Sequence, residues 1–587
     1  MFRNALLPIS LAVTLFALAA CGSDDSSAPA ASTPPAAASV SVQDALPTAT
    51  PIKHVVVIFG ENRSFDHYFG TYPNAANPPG ETPVFTPLPN TPKVNNLLGA
   101  TPSLLTANPN TINTQNLAIV VTPAIPASGT QAAVPAVTIS PSLLNPFRLD
   151  RAQANTADQS HSYGPEQNAY DNGAMDAFPA NTGKATTGAA GQFGTKAQVM
   201  GYFDGNTVTA LWNYAQNFAM SQNAYTDTFG PSTPGAIAVI SGQNNGVVPV
   251  IGNASTVADG QGGLSLTGDT DPAGDTCSST KSTMHMTSKN IGDLLNARNI
   301  TWGGFMGGFN LQTINANGST GCTRTTFSSV LGGNVPDYVP HHIFFQYYAS
   351  TANPTHARPS SLAAIGNTLE ADGKTVDPAN HNYDTDDFFA AVSAGNYPSV
   401  SYLKAPAIGD GHPGNSDPID EQAFIVKVVN FLQQQPDWKN TAVIITYDDS
   451  DGWYDHRYQP PKTASFSSSD SLNGPSTCNV AGTSVQGVGV NGAAVQGRCG
   501  PGTRIPFLVI SPYAKANYVD DVQINQSSVV KFIEDNWLGG QRIGQGSNDA
   551  NDGSIMGMFD FTQNVTTPRT LFLDPNMGTK LAAAPTN

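Results

Sequence analysis

Three short runs of β-branched and other apolar residues stand out along the chain: His54-Val55-Val56-Val57-Ile58-Phe59 ending at Gly60, Thr441-Ala442-Val443-Ile444-Ile445-Thr446-Tyr447, and Pro506-Phe507-Leu508-Val509-Ile510-Ser511. None alternates strictly between apolar and polar, which is the pattern of strands buried on both faces of a mostly parallel sheet. Helical spacing lies between them, from Ile291 to Ala297 and from Glu421 to Gln434 with apolar positions at Ala423, Phe424, Val426, Val428, Val429, Phe431 and Leu432, and again after the third run, from Ser527 to Trp537. The mixture predicts an α/β domain over residues 51–545. From about Tyr72 to Asn145 the chain is rich in Pro, Thr, Asn and Ala, which predicts a loop-rich insertion. Residues 546–587 read as a Gly/Asn/Asp/Pro-containing tail. In open α/β sheets ligands bind beyond the carboxyl ends of the strands, so the residues just after the three runs are the first place to look for chemistry.

The amino terminus carries one basic residue, Arg3, and then an apolar run from Leu6 to Ala20, the layout of an export leader over residues 1–20. The run is short for a spanning helix, and no other stretch of about 18 apolar residues follows. It ends Leu18-Ala19-Ala20-Cys21-Gly22-Ser23, which resembles a bacterial lipobox. The resemblance implies lipidation of Cys21, membrane contact through that lipid, and an exported, membrane-anchored protein; the alternative is an ordinary cleaved leader. Residues 21–50, rich in Ala, Ser, Pro and Thr, have the composition of a flexible tether. Four further cysteines remain, and an even number in an exported chain suggests two disulfides. The local pairing, Cys277 with Cys322 and Cys478 with Cys499, is favoured among the three arrangements because each pair brackets a loop rich in small residues. Zinc ligation is the weaker reading, since no C-x-x-C pair occurs.

Composition narrows the function classes. Charged residues make up 12% of the chain, against about 25% in an ordinary domain. The net charge of −17 leaves no basic footprint for nucleic acid. The scarce charge is clustered. After the first run comes Glu61-Asn62-Arg63-Ser64-Phe65-Asp66-His67, where a carboxylate and an amide oxygen side by side can ligate a cation, or else Asn62 caps a helix. After the second run Asp448, Asp449, Asp451, Asp455 and His456 fall within nine residues, and such a set repels itself unless a cation or basic partner neutralises it. A third element, Gly230-Pro231-Ser232-Thr233-Pro234-Gly235, leads into a small apolar helical stretch, so Ser232 can sit at a helix N-terminus where backbone N–H groups favour an anion; taken alone it is also a common turn. Histidines in polar settings, His161, His341, His342 and His412, suit phosphate binding and proton transfer.

The run from His54 to Gly70, the segment from Thr446 to His456 and the turn from Gly230 to Pro234 together resemble, in family order, the signatures of a bacterial phosphoesterase family that contains non-haemolytic-type phospholipases C and a group of acid phosphatases. The resemblance implies an alkaline-phosphatase-like three-layer sandwich with a central, mostly parallel sheet and long loop insertions. It also implies Ser232 as a nucleophile that forms a phosphoserine, with Glu61, Asn62, Asp448, Asp449 and Ser232 around one divalent metal ion. His161, His341, His342 and His412 would then line the phosphate pocket, with Asp451, Asp455 and His456 as candidate support. The substrate implied is a phospholipid or another phosphate ester, with phosphomonoester cleavage as the alternative activity. A non-catalytic surface-binding lipoprotein is the reading from outside enzymes. A sulfatase is disfavoured, because no Cys/Ser-x-Pro-x-Arg stretch surrounds Ser232. Two departures from the family pattern stand out. Gly235 replaces a usual Asn, which bears on substrate contacts beside the nucleophile, and Asn525-Gln526-Ser527 replaces an Asp-His-Ser/Thr stretch.

Overall fold

The computed structural model describes residues 43–585, apart from 100–101, 109, 111–112, 115, 117–120, 123–136, 139–143 and 185–195. Eight strands form the main sheet: β1 His54–Gly60, β2 Ala219–Ser221, β3 Trp302–Met306, β4 Asn382–Asp384, β5 Val400–Lys404, β6 Thr441–Tyr447, β7 Phe507–Ile510 and β8 Tyr518–Asp520. Their order is β4-β3-β5-β1-β6-β7-β2-β8. All run the same way except β7, which is antiparallel to both of its neighbours. The first two apolar runs are strands over the residues predicted, and every residue in them is buried. The third is also a buried strand. Its reversed direction puts its carboxyl end at the far end of the sheet, where Ser511 Oγ donates to the Thr441 carbonyl at 2.8 Å. No candidate chemistry follows it, against the expectation above, because an apolar run reveals burial and not direction.

The helices used below are α1 Phe65–Phe69, α2 Tyr163–Tyr170, α3 Ser232–Ser241, α4 Ile291–Asn296, α5 Pro418–Gln433 and α6 Ser528–Trp537. Helix α5 starts three residues before its apolar periodicity does. Asp417 accepts from the N–H groups of Ile419 and Asp420 at 2.8 and 2.9 Å, and Pro418 occupies the first helical position, where a missing N–H does no harm. Strand register shows a layer on each side of the sheet. Val57 pairs with both Tyr402 and Ile444, so these face one way and Tyr447 faces the other. Tyr402 donates to the Val239 carbonyl in α3 at 3.2 Å, whereas Tyr447 donates to Glu421 in α5. The fold is therefore α/β, with helices on both faces of a mostly parallel sheet.

Two boundaries differ from the composition-based reading. The tether ends before residue 50: Gln43 Oε1 accepts from the Thr301 N–H at 3.1 Å, and the Thr50 N–H donates to Asn536 Oδ1 at 3.0 Å. Residues 546–585 place Ile555, Met558, Phe559 and Leu573 in the core instead of trailing from it. Amides on α5 explain this, because Gln422, Asn430 and Gln433 donate to the carbonyls of Asn576, Leu573 and Leu571 at 3.1, 2.8 and 3.0 Å. A polar stretch is thus hydrogen-bonded rather than solvated. The described part of the 72–145 insertion also lies on the body, with Phe85, Val94 and Leu97 buried. The leader, Cys21 and the rest of the tether lie outside the described residues. Among the described residues, no helix is long and apolar enough to cross a membrane.

Both disulfides follow the local pairing, Cys277–Cys322 and Cys478–Cys499, closing spans of 45 and 21 residues. Cys478 and Cys499 are fully buried beside Tyr163 and Leu472. Replacing both Cys478 and Cys499 by Ser should lower stability by about 3 kcal/mol, the chain-entropy value for a loop of this size. Thermal denaturation followed by circular dichroism is expected to show a melting point several degrees lower.

Candidate functional site

The site is assembled where β5, β1 and β6 end side by side. Because β1 and β6 are parallel and in register to Gly60 and Tyr447, the next residues of each emerge together. The Asn62 N–H donates to Asp448 Oδ1 at 2.8 Å, and the Arg63 N–H donates to the Asp449 carbonyl at 3.0 Å. Asn62 has φ +61°, a left-handed conformation that Asn tolerates better than most residues. The Asp449 N–H also donates to Asp448 Oδ1, at 2.8 Å, so one carboxylate oxygen pins both strand ends.

Ser232 arrives from a third direction, in the first turn of α3. The preceding Gly230 has φ +116°. Its N–H donates to Glu166 Oε2 of α2 at 2.9 Å, while Glu166 Oε1 accepts from Ser450 Oγ at 2.6 Å, which ties the turn to the loop after β6. Gly235 has a packing reason. A Cβ there would lie 2.1 Å from the Asp448 carbonyl oxygen, so only glycine lets α3 approach the end of β6. Gln526 braces the same point, its Nε2 donating to the Tyr447 and Asp448 carbonyls at 2.9 and 2.5 Å.

Ser232 Oγ lies 3.2 Å from Glu61 Oε2, 3.3 Å from Asp449 Oδ2 and 3.5 Å from Asn62 Oδ1. A hydroxyl has one proton and faces three acceptors here. All of these side chains are buried, and among the described residues Asp448 Oδ2 has no hydrogen-bond partner. Burial first, and then the Glu61 charge, pushes the Asp448 carboxyl up to about 7. Burial and Asp448 raise Asp449 well above the usual carboxylate range. A buried set of oxygens that repel one another and converge on one point fits a hard or borderline divalent cation, and Glu61, Asn62, Asp448, Asp449 and Ser232 are the residues that could hold it.

The four histidines divide into two pairs. His412 Nδ1 donates to the Pro413 carbonyl at 2.7 Å, which leaves Nε2 to accept from Asn62 Nδ2 at 3.2 Å. Burial lowers its pKa to about 4, so the ring is neutral. His342 stacks on it with centroids 5.8 Å apart and directs Nδ1 to Glu61 Oε1 at 3.0 Å. Burial, then His341 and Lys404, hold His342 well below its ordinary value. His161 is the opposite case. Burial disfavours its charge, but Asp449, Asp451 and Asp158 outweigh that and raise it well above 6.5; its Nδ1 is 2.9 Å from Asp451 Oδ1. His341, 31% exposed at the side chain, is also raised, with burial opposed by Asp271 and Asp269.

Asp451 therefore orients His161, but Asp455 and His456 are engaged elsewhere. Asp455 accepts from Arg504 Nε at 3.1 Å, and His456 Nδ1 meets Asp66 Oδ2 at 2.5 Å, within a buried network of Asp66, Arg504 and Asp455. Nearness in sequence suggested one cluster, yet the buried Arg504 supplies a separate counter-charge. Several residues escaped the sequence reading. Glu166 sits on a helix that follows no strand of the main sheet directly, Asp269 receives the Thr233 N–H at 2.9 Å, and Lys404 lies at the end of β5 with its ammonium against Glu61. Lys404 ends Val-Ser-Tyr-Leu-Lys, a segment whose polar Ser401 and Lys404 hide its complete burial.

A family model described as "Phosphoesterase family" matches residues 52–538. The non-hemolytic phospholipase C of Burkholderia pseudomallei is 25% identical over 494 residues, 83% of this chain and 55% of that protein. The non-hemolytic phospholipase C of Pseudomonas aeruginosa is 31% identical over 145 residues, 24% of this chain and 20% of that one. The chain thus spans about half the length, or less, of these curated relatives. A solved Vibrio parahaemolyticus protein described as in the alkaline phosphatase superfamily aligns at 12% identity with a TM-score of 0.24, over 76% of this chain and 79% of that one, a likeness too slight to argue from. With the match running from just before β1 to just past α6, the chain belongs to the Phosphoesterase family.

Proposed function

We propose that the protein is a metal-dependent phosphoric-ester hydrolase of phospholipase C type with Ser232 as its nucleophile. The observation that carries this reading is the convergence of Glu61, Asn62 and Asp449 on a serine oxygen in the first turn of α3. A divalent cation held there would favour the serine alkoxide and offset charge on a phosphoryl oxygen. The first N–H groups of α3 add partial positive charge on the same side. Ser232, its hydroxyl proton lost to solvent, attacks phosphorus through Oγ; the Oγ–P bond forms and the ester P–O bond breaks in line. Positively charged His161 and His341 face the phosphoryl oxygens, and His341, the more exposed, supplies the proton for the leaving alkoxide. Water then attacks the phosphoserine phosphorus and gives a proton to His341, neutral after protonating the alkoxide, while the Oγ–P bond breaks and Ser232 leaves as its alkoxide. Neutral His342 and His412 fix Glu61 and Asn62.

Phospholipid is the first substrate reading, cut on the glycerol side of phosphorus. Phosphomonoester cleavage is the second. The cavity of about 640 Å³ beside Pro231, lined by polar groups such as Ser160, His161, Lys184 and Asp269 together with Tyr163, Pro165 and Pro231, would take a hydrophilic substituent on phosphorus in either substrate. Export and lipidation at Cys21 complete the proposal.

Ser232→Ala should lower turnover of every phosphate ester at least about a thousandfold with the circular dichroism spectrum unchanged. Retained turnover excludes Ser232 as nucleophile. In the wild type, release of diacylglycerol from phosphatidylcholine supports the phospholipase reading, whereas monoester turnover alone supports the phosphatase. Chelation should abolish activity reversibly and lower the melting temperature, because the buried carboxylates lose their counter-ion; a cation at 100 times its Kd contributes about 2.7 kcal/mol. Cys21→Ser should move the protein from the membrane fraction to the soluble one on fractionation of expressing cells.

A further inference from the structure

Glu61 faces two ways. Its Oε2 points to Ser232 at 3.2 Å, while its Oε1 meets both the Lys404 ammonium and His342 Nδ1, the latter at 3.0 Å. Glu61, His342 and His412 bring ligand atoms within 4.8 Å of one another. Asp410 Oδ2 stands 3.7 Å from His342 Nδ1. Two imidazoles with carboxylates are a suitable donor set for a borderline divalent cation. Taken alone, that grouping would predict a second metal ion beside the first.

The fold puts a side chain there. Lys404 closes β5, the strand next to β1, and its 1% exposed ammonium also donates to the Gly60 carbonyl at 3.4 Å and lies 5.2 Å from the Phe59 ring centroid. Lysine carries a compact point charge on a long stem, able to reach a position that a cation would otherwise occupy. The Lys404 ammonium is the positive side chain set among Glu61, Asp448 and Asp410. Asp410 and Asp451 also have other partners. Asp410 Oδ1 accepts from the His412 N–H at 2.9 Å and from Ser416 Oγ at 3.2 Å, and Asp451 is paired with His161.

We infer that Lys404 is a built-in cation that fills the second cation position beside Glu61, limits the centre to one metal ion and holds Glu61 in its two-sided orientation. Lys404 is in this role a positioning residue, acting through Glu61. The inference rests on the metal-centre reading above.

Metal content tests it without reference to turnover. Metal-stripped full-length protein is equilibrated with excess Zn²⁺, and in parallel with Mn²⁺, desalted and measured by plasma mass spectrometry. Wild type and Lys404→Arg should retain one ion per chain, and Lys404→Ala should retain two. The Mn²⁺-loaded Lys404→Ala protein should show a spin-coupled pair by electron paramagnetic resonance where the wild type shows an isolated ion. Two ions in the wild type, or a single ion held with wild-type affinity in Lys404→Ala, overturns the inference and leaves the metal centre standing. No ion in the wild type overturns the metal centre, and this inference with it. If Lys404→Ala does not fold, the wild-type count decides: one ion supports the inference and two overturn it.

Discussion

Two parallel strands in register, β1 and β6, end on the same line of the sheet, and everything at the site depends on that alignment. Parallel pairing sends both chains out at one end, so Glu61 and Asn62 meet Asp448 and Asp449 although nearly four hundred residues separate them. The Asn62 N–H on Asp448 Oδ1 at 2.8 Å records how closely they meet. A slip of one residue in either strand would turn the carboxylates to the wrong face, since side chains alternate along a strand. Full burial of both strands is what prevents the slip, because every apolar residue in them would lose its packing together.

Close approach is the second requirement. Helix α3 must come near enough to β6 for Ser232 to face the carboxylates, and Gly235 allows it by leaving no atom where the Asp448 carbonyl lies. Glu166 and Gln526 then fix the two sides of the contact, one through the Gly230 N–H and Ser450, the other through the carbonyls of Tyr447 and Asp448. These are buried polar groups with their hydrogen bonds satisfied, which makes them rigid supports rather than liabilities. The centre itself is different in kind. Its acceptors outnumber its protons, and that imbalance is the physical argument for a cation.

A chain with 12% charged residues places a large part of its charge in the interior. Arg63, Arg504, Lys404 and Asp455 are all essentially without exposure, each facing an opposite charge or a ring. Paired in this way, buried charges specify geometry more than they add stability. The division of the acidic stretch after β6 follows the same rule: Asp448 and Asp449 turn to the strand ends, Asp451 to His161, and Asp455 to Arg504.

Local chemistry settled much of this protein before any contact was known. The β-branched runs at residues 54–59 and 441–447 are strands because their residues suit a sheet buried on both faces, and the acidic and serine motifs beside them are legible as motifs. The helical spacing and the local cysteine pairing follow from short-range pattern and loop closure. Direction, register and partner choice are non-local. Only the tertiary structure decided that the 507–510 strand runs backwards, that Asp455 and His456 belong to Arg504, that residues 546–585 fold back onto amides of α5, and that Gly235 and Lys404 stand against the metal-site candidates. Burial and hydrogen-bond satisfaction act between segments far apart in the chain, so the pattern of any one segment cannot contain them.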